Sequence, residues 1–259
     1  MATAYEGASE RGLDIGRVFS RTFGIIGRNI GPFAVIGVLL MLLPSAASNF
    51  LTYEAMAGAD LSAVGTFQWV VYGLAIFASL LFIPAALSIA GQDAQGSVDL
   101  GTVFRTAFIT FIPVIVHSIL WTLGAGIGFM LIIVPGIILA CMWAVSYAAL
   151  VIDRHGIIGS FGRSRALTKG SRWTIFGIFV ILFVAAIVIS GLAAFTGPGL
   201  GVFTGAPALQ NVGAIFFITS AIANTVLYVV GTTLFAAMYL ELRTIRDGAD
   251  TGQLGEVFA

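Results

Sequence analysis

The stretch Asp153-Arg-His-Gly-Ile-Ile-Gly-Ser-Phe-Gly-Arg163-Ser-Arg165-Ala-Leu-Thr-Lys169-Gly-Ser-Arg172 holds five of the chain's twelve basic residues and one acid. It lies between two runs free of Asp, Glu, Lys and Arg: Thr106 to Ile152, 47 residues, and Trp173 to Leu240, 68 residues. A helix crosses the hydrocarbon core of a bilayer with about 20 apolar residues. Each run is therefore long enough for two crossings, and the quoted stretch reads as the basic connection between two membrane hairpins.

The same pattern extends along the chain. Arg11, Arg17, Arg21 and Arg28 precede or open a first apolar run, Asn29 to Tyr53. Arg105 follows a second, Leu61 to Gln92, and Arg243 and Arg246 follow the last. The connections at Glu54 to Asp60, Gly124 to Ile133 and Thr196 to Val212 contain neither Lys nor Arg. Lys and Arg concentrate in cytoplasmic loops, so the alternation predicts six spans with both termini in the cytoplasm. The expected spans are 31–52, 66–90, 109–129, 132–152, 174–195 and 214–240. They form an all-α polytopic membrane bundle over residues 13–246, between a disordered cytoplasmic N-terminus (1–12) and a cytoplasmic C-terminal tail (247–259). The turn of the third hairpin run is expected in the Gly124 to Pro135 region. The last run is expected to break at Thr196-Gly-Pro-Gly-Leu-Gly201 and Gly205-Ala-Pro207.

Composition points the same way. Hydrophobic residues make up 59% and charged residues 9% of the chain, with a mean hydropathy of +1.04. Soluble domains are about 25% charged, so this chain lacks the polar surface for water. The net charge of zero says little, because the charges are segregated. No positive n-region leads into a short apolar core with a small-residue cleavage site, so the first span is expected to remain as an anchor. Cys141 is the single cysteine, which excludes an internal disulfide and a cysteine metal site.

Asp14-Ile-Gly-Arg-Val-Phe19 and Asp99-Leu-Gly-Thr-Val-Phe104 share one pattern ahead of spans one and three, and Ile158 to Ser164 occupies the equivalent place before span five. The reading is three repeated units, each a cytoplasmic or interfacial helix followed by a membrane hairpin. Ile15, Val18, Phe19, Thr22 and Ile26 recur on one helical face, opposite Arg17, Arg21, Gly24 and Arg28. Such a helix suits the bilayer interface. Asp14 and Asp99 are natural N-caps.

Few residues offer chemistry. His117 and Asn224 are the intramembrane polar candidates, each expected to hydrogen-bond a neighbouring helix. Glu241 is expected to pair with Arg243 or another arginine. Pro84 and Pro113 read as kinks or helix ends. No nucleophile–base set, metal motif or phosphate loop is present: Gly124-Ala-Gly126-Ile-Gly128 and Gly197-Pro-Gly199-Leu-Gly201 do not sit between a strand and a helix, and glycines at such spacing permit close helix approach. The expectation is a non-catalytic protein without cofactor, metal or nucleic-acid partner. Arg163, Arg165, Lys169 and Arg172 are the candidate contacts for anionic lipid headgroups.

Three segments carry a family resemblance: Pro135-Gly-Ile-Ile-Leu139, Arg163-Ser-Arg-Ala-Leu-Thr-Lys-Gly-Ser-Arg-Trp-Thr-Ile-Phe-Gly177, and Tyr239-Leu-Glu-Leu-Arg243. Together they resemble the bacterial six-span family named for the glycerophosphoryl diester phosphodiesterase membrane domain. The resemblance implies the membrane region alone, since no residues remain for a catalytic barrel of about 250 residues. It implies a stand-alone module of the bacterial cytoplasmic membrane, accessory or lipid-organising, with membrane lipids as its expected partners. The alternative is a transporter or lipid-handling protein that uses a groove between hairpins beside the basic loop.

Overall fold

In the computed structural model, which describes residues 12–56, 61–131, 133–195 and 210–257, every regular element is a helix. Helix α1 (Ile15–Arg28) begins where Asp14 accepts the Arg17 N–H at 2.8 Å, which satisfies a donor that the first turn leaves open. It ends at Asn29, whose N–H turns back to the carbonyls of Ile25 and Ile26. Its apolar stripe is Val18, Thr22 and Ile25, all buried, with Ile15, Phe19 and Ile26 against the core. That stripe packs on the last helix, α10 (Gln210–Val257). The face expected to lie on the bilayer is thus held by protein.

Span one is interrupted. α2 (Ile30–Gly37) passes through a π-helical turn, Val38–Leu42, into α3 (Leu43–Met56). Pro44 follows directly, and a proline ring crowds the carbonyl four residues before it. The wider turn, in which the Leu43 N–H reaches the Val38 carbonyl, makes room for the ring. Pro84 and Pro113 lie inside α4 (Leu61–Asp93) and α5 (Leu100–Leu131) and end neither helix.

Before α5, the Asp99 carboxylate accepts the Thr102 N–H at 2.7 Å. Hydrogen bonding from the Thr102 side chain and backbone holds it below the usual carboxylate range. This cap therefore operates above that range and is lost as pH falls through the depressed value. No separate lead-in helix follows it, because α5 runs unbroken into the span. In this respect the second unit differs from the first, where Asn29 divides α1 from α2.

α5 and α6 (Ile133–Met142) form a tight hairpin. The change of helix falls within the expected Gly124 to Pro135 region, since α5 ends at Leu131 and α6 begins at Ile133, while Gly124, Gly126 and Gly128 are still inside α5. Gly124 and Gly128 are small because α6 and the residue after it are close. A β-carbon on Gly124 would lie 2.5 Å from the Trp143 ring, and one on Gly128 2.9 Å from Leu139. On Gly136 it would meet the Phe129 ring at 2.5 Å and the Phe129 backbone nitrogen at 2.8 Å. Overpacking costs about 1–3 kcal/mol, more than the roughly 1 kcal/mol that alanine gains over glycine in a helix. Gly136→Ala is therefore expected to lower the thermal unfolding midpoint, whereas Gly126→Ala, which meets nothing within 4 Å, should leave it level or raise it.

The chain continues through short α7 (Ser146–Val151) and α8 (Ile157–Thr168) into α9 (Arg172–Phe195) and then α10. The expected breaks at 196–201 and 205–207, and the expected disordered 1–11, lie outside the described residues. α10 is the central element, packed against α1, α3, α4 and α9. Ala85, Ala86 and Ala90 of α4 and Ala236 and Ala237 of α10 are buried in one core with Phe82, Met238 and Tyr239. Among the described residues six helices are long and apolar enough to cross a membrane: Ile30–Leu51, Phe67–Asp93, Leu100–Met130, Ile133–Val151, Arg172–Phe195 and Phe216–Asp247. Their outward surfaces are apolar, as at Leu74, Ile119, Phe183 and Leu192. Water would not tolerate that much contiguous apolar surface; a bilayer requires it. The protein is a multi-pass helical membrane protein.

Candidate functional site

Among the described residues, ion pairs join elements distant in sequence and gather their charged side chains at one end of the bundle. Arg17 and Arg21 of α1 meet Glu241 of α10 at 3.2 and 3.3 Å. Arg28 grips Asp93 with two hydrogen bonds, 3.1 and 2.7 Å. Arg163 of α8 donates to both oxygens of Asp247 at 2.8 and 2.6 Å, and those hydrogen bonds raise the Arg163 guanidinium above its ordinary range. Asp153 receives Arg243 at 2.9 Å and the Tyr239 hydroxyl, with His155 at 3.7 Å. Arg246 donates to the Lys169 carbonyl.

The segment Tyr239-Leu-Glu-Leu-Arg243 acts here as a two-sided latch. Residues four apart on a helix share a face, so Tyr239 and Arg243 both reach Asp153. Glu241, between them, faces α1. The expected Glu241 partner is thereby resolved in favour of Arg17 and Arg21 over Arg243.

The candidate headgroup set divides in the same way. Arg163 is committed to Asp247. Arg165, Lys169 and Arg172 have no acidic partner among the described residues, and all three line one cavity of about 540 Å³. Its wall includes Gly170 and Trp173. Gly170 takes φ +89°, a left-handed conformation that glycine adopts readily, in the turn that delivers the chain from α8 to α9. The Arg172 Nε is buried without a hydrogen-bond partner. Arg172 and Trp173 also line a second, apolar cavity of about 420 Å³, which continues between α6 and α9 along Val134, Ile137, Ile138, Cys141 and Phe176. Trp173 itself is 87% exposed, as suits an aromatic ring at a membrane interface. The site therefore presents cations at its mouth and hydrocarbon-compatible walls below. Register separates these residues: Lys169 caps the end of α8 four positions after Arg165 of its last turn, whereas Arg163 is offset from Arg165 by two.

His117 is fully buried and joins three elements. Its Nε2 lies 2.9 Å from the Ser146 hydroxyl of α7 and its Nδ1 3.2 Å from the Ser160 hydroxyl of α8. Phe161 stacks on the ring at 4.2 Å, and Tyr147 meets it edge-on at 4.6 Å. Both serines have backbone carbonyls to turn to, those of Trp143 and Ile157. Loss of the imidazole would thus strand neither hydroxyl. Hydrogen bonds between membrane helices average about 0.6 kcal/mol, while emptying a packed site costs about 2–5 kcal/mol. His117→Ala is expected to lower the unfolding midpoint distinctly more than His117→Leu, as a thermal aggregation assay would show. The expected helix-joining bond of His117 is present, but its serine partners lie in apolar contexts that sequence reasoning passed over. Asn224 is corrected: it sits on the exposed face of α10 and makes no hydrogen bond among the described residues.

Among the described residues, no group of three or more His, Cys, Asp or Glu side chains could hold a metal ion. No curated protein and no solved structure matches this chain. A family model does match, over residues 97–242, which cover α5 to α9, most of α10 and both cavities. The chain belongs to the family described as a domain of unknown function, DUF7847.

Proposed function

We propose that this membrane protein is a non-catalytic, lipid-organising module that holds an anionic lipid by headgroup and chain. The supporting observation is the cavity ringed by Arg165, Lys169 and Arg172, cations without an acidic partner among the described residues, and its shared wall with an apolar groove. Arg17, Arg21, Arg28, Arg163 and Arg243 are paired with acids, whereas these three cations share one cavity wall and are available to something else. Each basic residue near a bilayer surface adds about 1 kcal/mol of attraction to anionic lipid. Topology alone would require the charges but not a cavity between them.

The basic end faces the cytoplasm in this reading, which follows the charge asymmetry of the connections. The membrane is the bacterial cytoplasmic membrane, in keeping with the resemblance of the Arg163 to Gly177 segment. Holding is favoured over transport because His117 is engaged by serines and Asn224 points outward, which leaves little of a polar path.

Phospholipid that co-purifies with the full chain tests the proposal. Anionic lipid should be enriched over the bulk membrane with the wild type and reduced to the bulk ratio with Arg165→Gln/Lys169→Gln/Arg172→Gln. Equal enrichment in both proteins would reject it.

A further inference from the structure

We infer that the lipid held at this site ends in a phosphomonoester, a headgroup of nearly two negative charges, with the phosphate at the start of α9. The inference rests on the anionic-lipid reading above and adds the class of headgroup. Charge balance is its first support. Three cations face one cavity, and no carboxylate belongs to its wall. A phosphodiester headgroup such as phosphatidylglycerol brings a single negative charge and leaves two of the cations unmatched. A phosphomonoester carries about −1.5 to −2 at neutral pH and three strong acceptor oxygens.

Geometry supplies the second support. α9 begins at Arg172, and its first hydrogen bond back to the preceding turn comes from the Ile175 N–H to the Ser171 carbonyl. The N–H groups of Arg172, Trp173 and Thr174 therefore have no acceptor within the helix. Two of these residues, Arg172 and Trp173, line the cavity, which therefore lies at the positive end of a 24-residue helix. Gly170 keeps this wall low, since its left-handed φ disfavours any side chain there. The Arg172 guanidinium, on the cavity wall, adds charged N–H donors suited to a group with three free oxygens. A diester has two such oxygens and a bulky second substituent to place.

A lipid is the source, and not free phosphate, because Arg172 and Trp173 are shared with the apolar groove. A chain attached to the phosphate would lie along Ile138 and Phe176, and the groove would have no purpose for an inorganic ion.

The test uses the full-length protein in phosphatidylcholine nanodiscs doped with equal fractions of phosphatidic acid or phosphatidylglycerol, read by native mass spectrometry. Phosphatidic acid should be bound about tenfold more tightly, and its affinity should rise from about pH 5 to about pH 8 as the second proton, with a pKa near 6, is lost. Phosphatidylglycerol should show no such rise. Ile138→Trp, which fills the groove, should weaken phosphatidic acid while leaving a folded protein by circular dichroism. Equal, pH-independent affinity for both lipids, lost in Arg165→Gln/Lys169→Gln/Arg172→Gln, would overturn the phosphomonoester and leave the anionic-lipid reading standing. Binding that ignores the triple substitution would overturn both. Displacement of phosphatidic acid by inorganic phosphate at equal concentration, unchanged in Ile138→Trp, would make free phosphate the ligand and overturn the lipid.

Discussion

Glu241→Lys should yield far less folded protein than any other single charge substitution at the basic end, and what survives should unfold at a lower temperature. The carboxylate is 16% exposed and faces two arginines. Replacement by lysine sets three cations together on the contact between α1 and α10, where Val18, Thr22 and Ile25 are buried. Hydrogen bonds to charged groups contribute about 1.5–3 kcal/mol each, and a stranded partner adds to the loss. Arg17 and Arg21 are partly solvated, which screens the interaction and places Glu241→Gln at the lower end of that range. Tyr239→Phe tests the other side of the latch. It removes one donor to Asp153 and leaves Arg243 in place, so a cost of about 1 kcal/mol is expected. The two sides meet no common partner, and their effects should add. Thermal unfolding of the single and double variants in one lipid environment would measure this.

The second large effect concerns affinity rather than stability. Arg165→Gln/Lys169→Gln/Arg172→Gln removes three cations at about 1 kcal/mol each, which amounts to about a hundredfold loss in binding of anionic lipid. None of the three holds an acid among the described residues, so the unfolding midpoint should barely move. Arg163→Gln should behave in the opposite way. It takes two hydrogen bonds from Asp247 and leaves Arg243 at 3.7 Å, which lowers the midpoint and leaves lipid affinity within about threefold, since Arg163 lies outside the cavity wall. Titration of both variants with an anionic lipid, alongside their melting curves, separates a structural arginine from a binding one within a single basic loop.

Much of the architecture was legible in the residues. The alternation of connections with and without Lys or Arg requires an even number of crossings, and the ion pairs Arg17–Glu241 and Arg28–Asp93 do bring the basic segments to one end. Less legible was where helices stop. Gly124, Gly126 and Gly128 carry the composition of a turn, yet they lie inside α5, because a glycine that admits a neighbouring helix and a glycine that ends one look alike in a single sequence. The π-helical turn ahead of Pro44 was not read from the sequence, since a proline within a span does not show how the helix accommodates its ring. The site was half legible. Arg163, Arg165, Lys169 and Arg172 form one basic run in sequence, and only helical register together with the distant Asp247 divides them. A groove between hairpins beside the basic loop was only an alternative in the sequence, and its lining could not be read, since Val134, Ile138, Cys141 and Phe176 resemble any other apolar residue of a span until α6 and α9 are set side by side.

The most direct test of the central claim is to find where a bound lipid's chain lies. An anionic phospholipid with a photoactivatable acyl chain, cross-linked to the full chain in nanodiscs and mapped by peptide mass spectrometry, reports that position. The account predicts adducts concentrated at Val134 to Cys141 and Trp173 to Phe176, lost when Arg165, Lys169 and Arg172 are neutralised. Adducts spread evenly over the outer face of α9, at Phe183, Ile187 and Leu192 as much as in the groove, and unchanged by neutralisation, would contradict it.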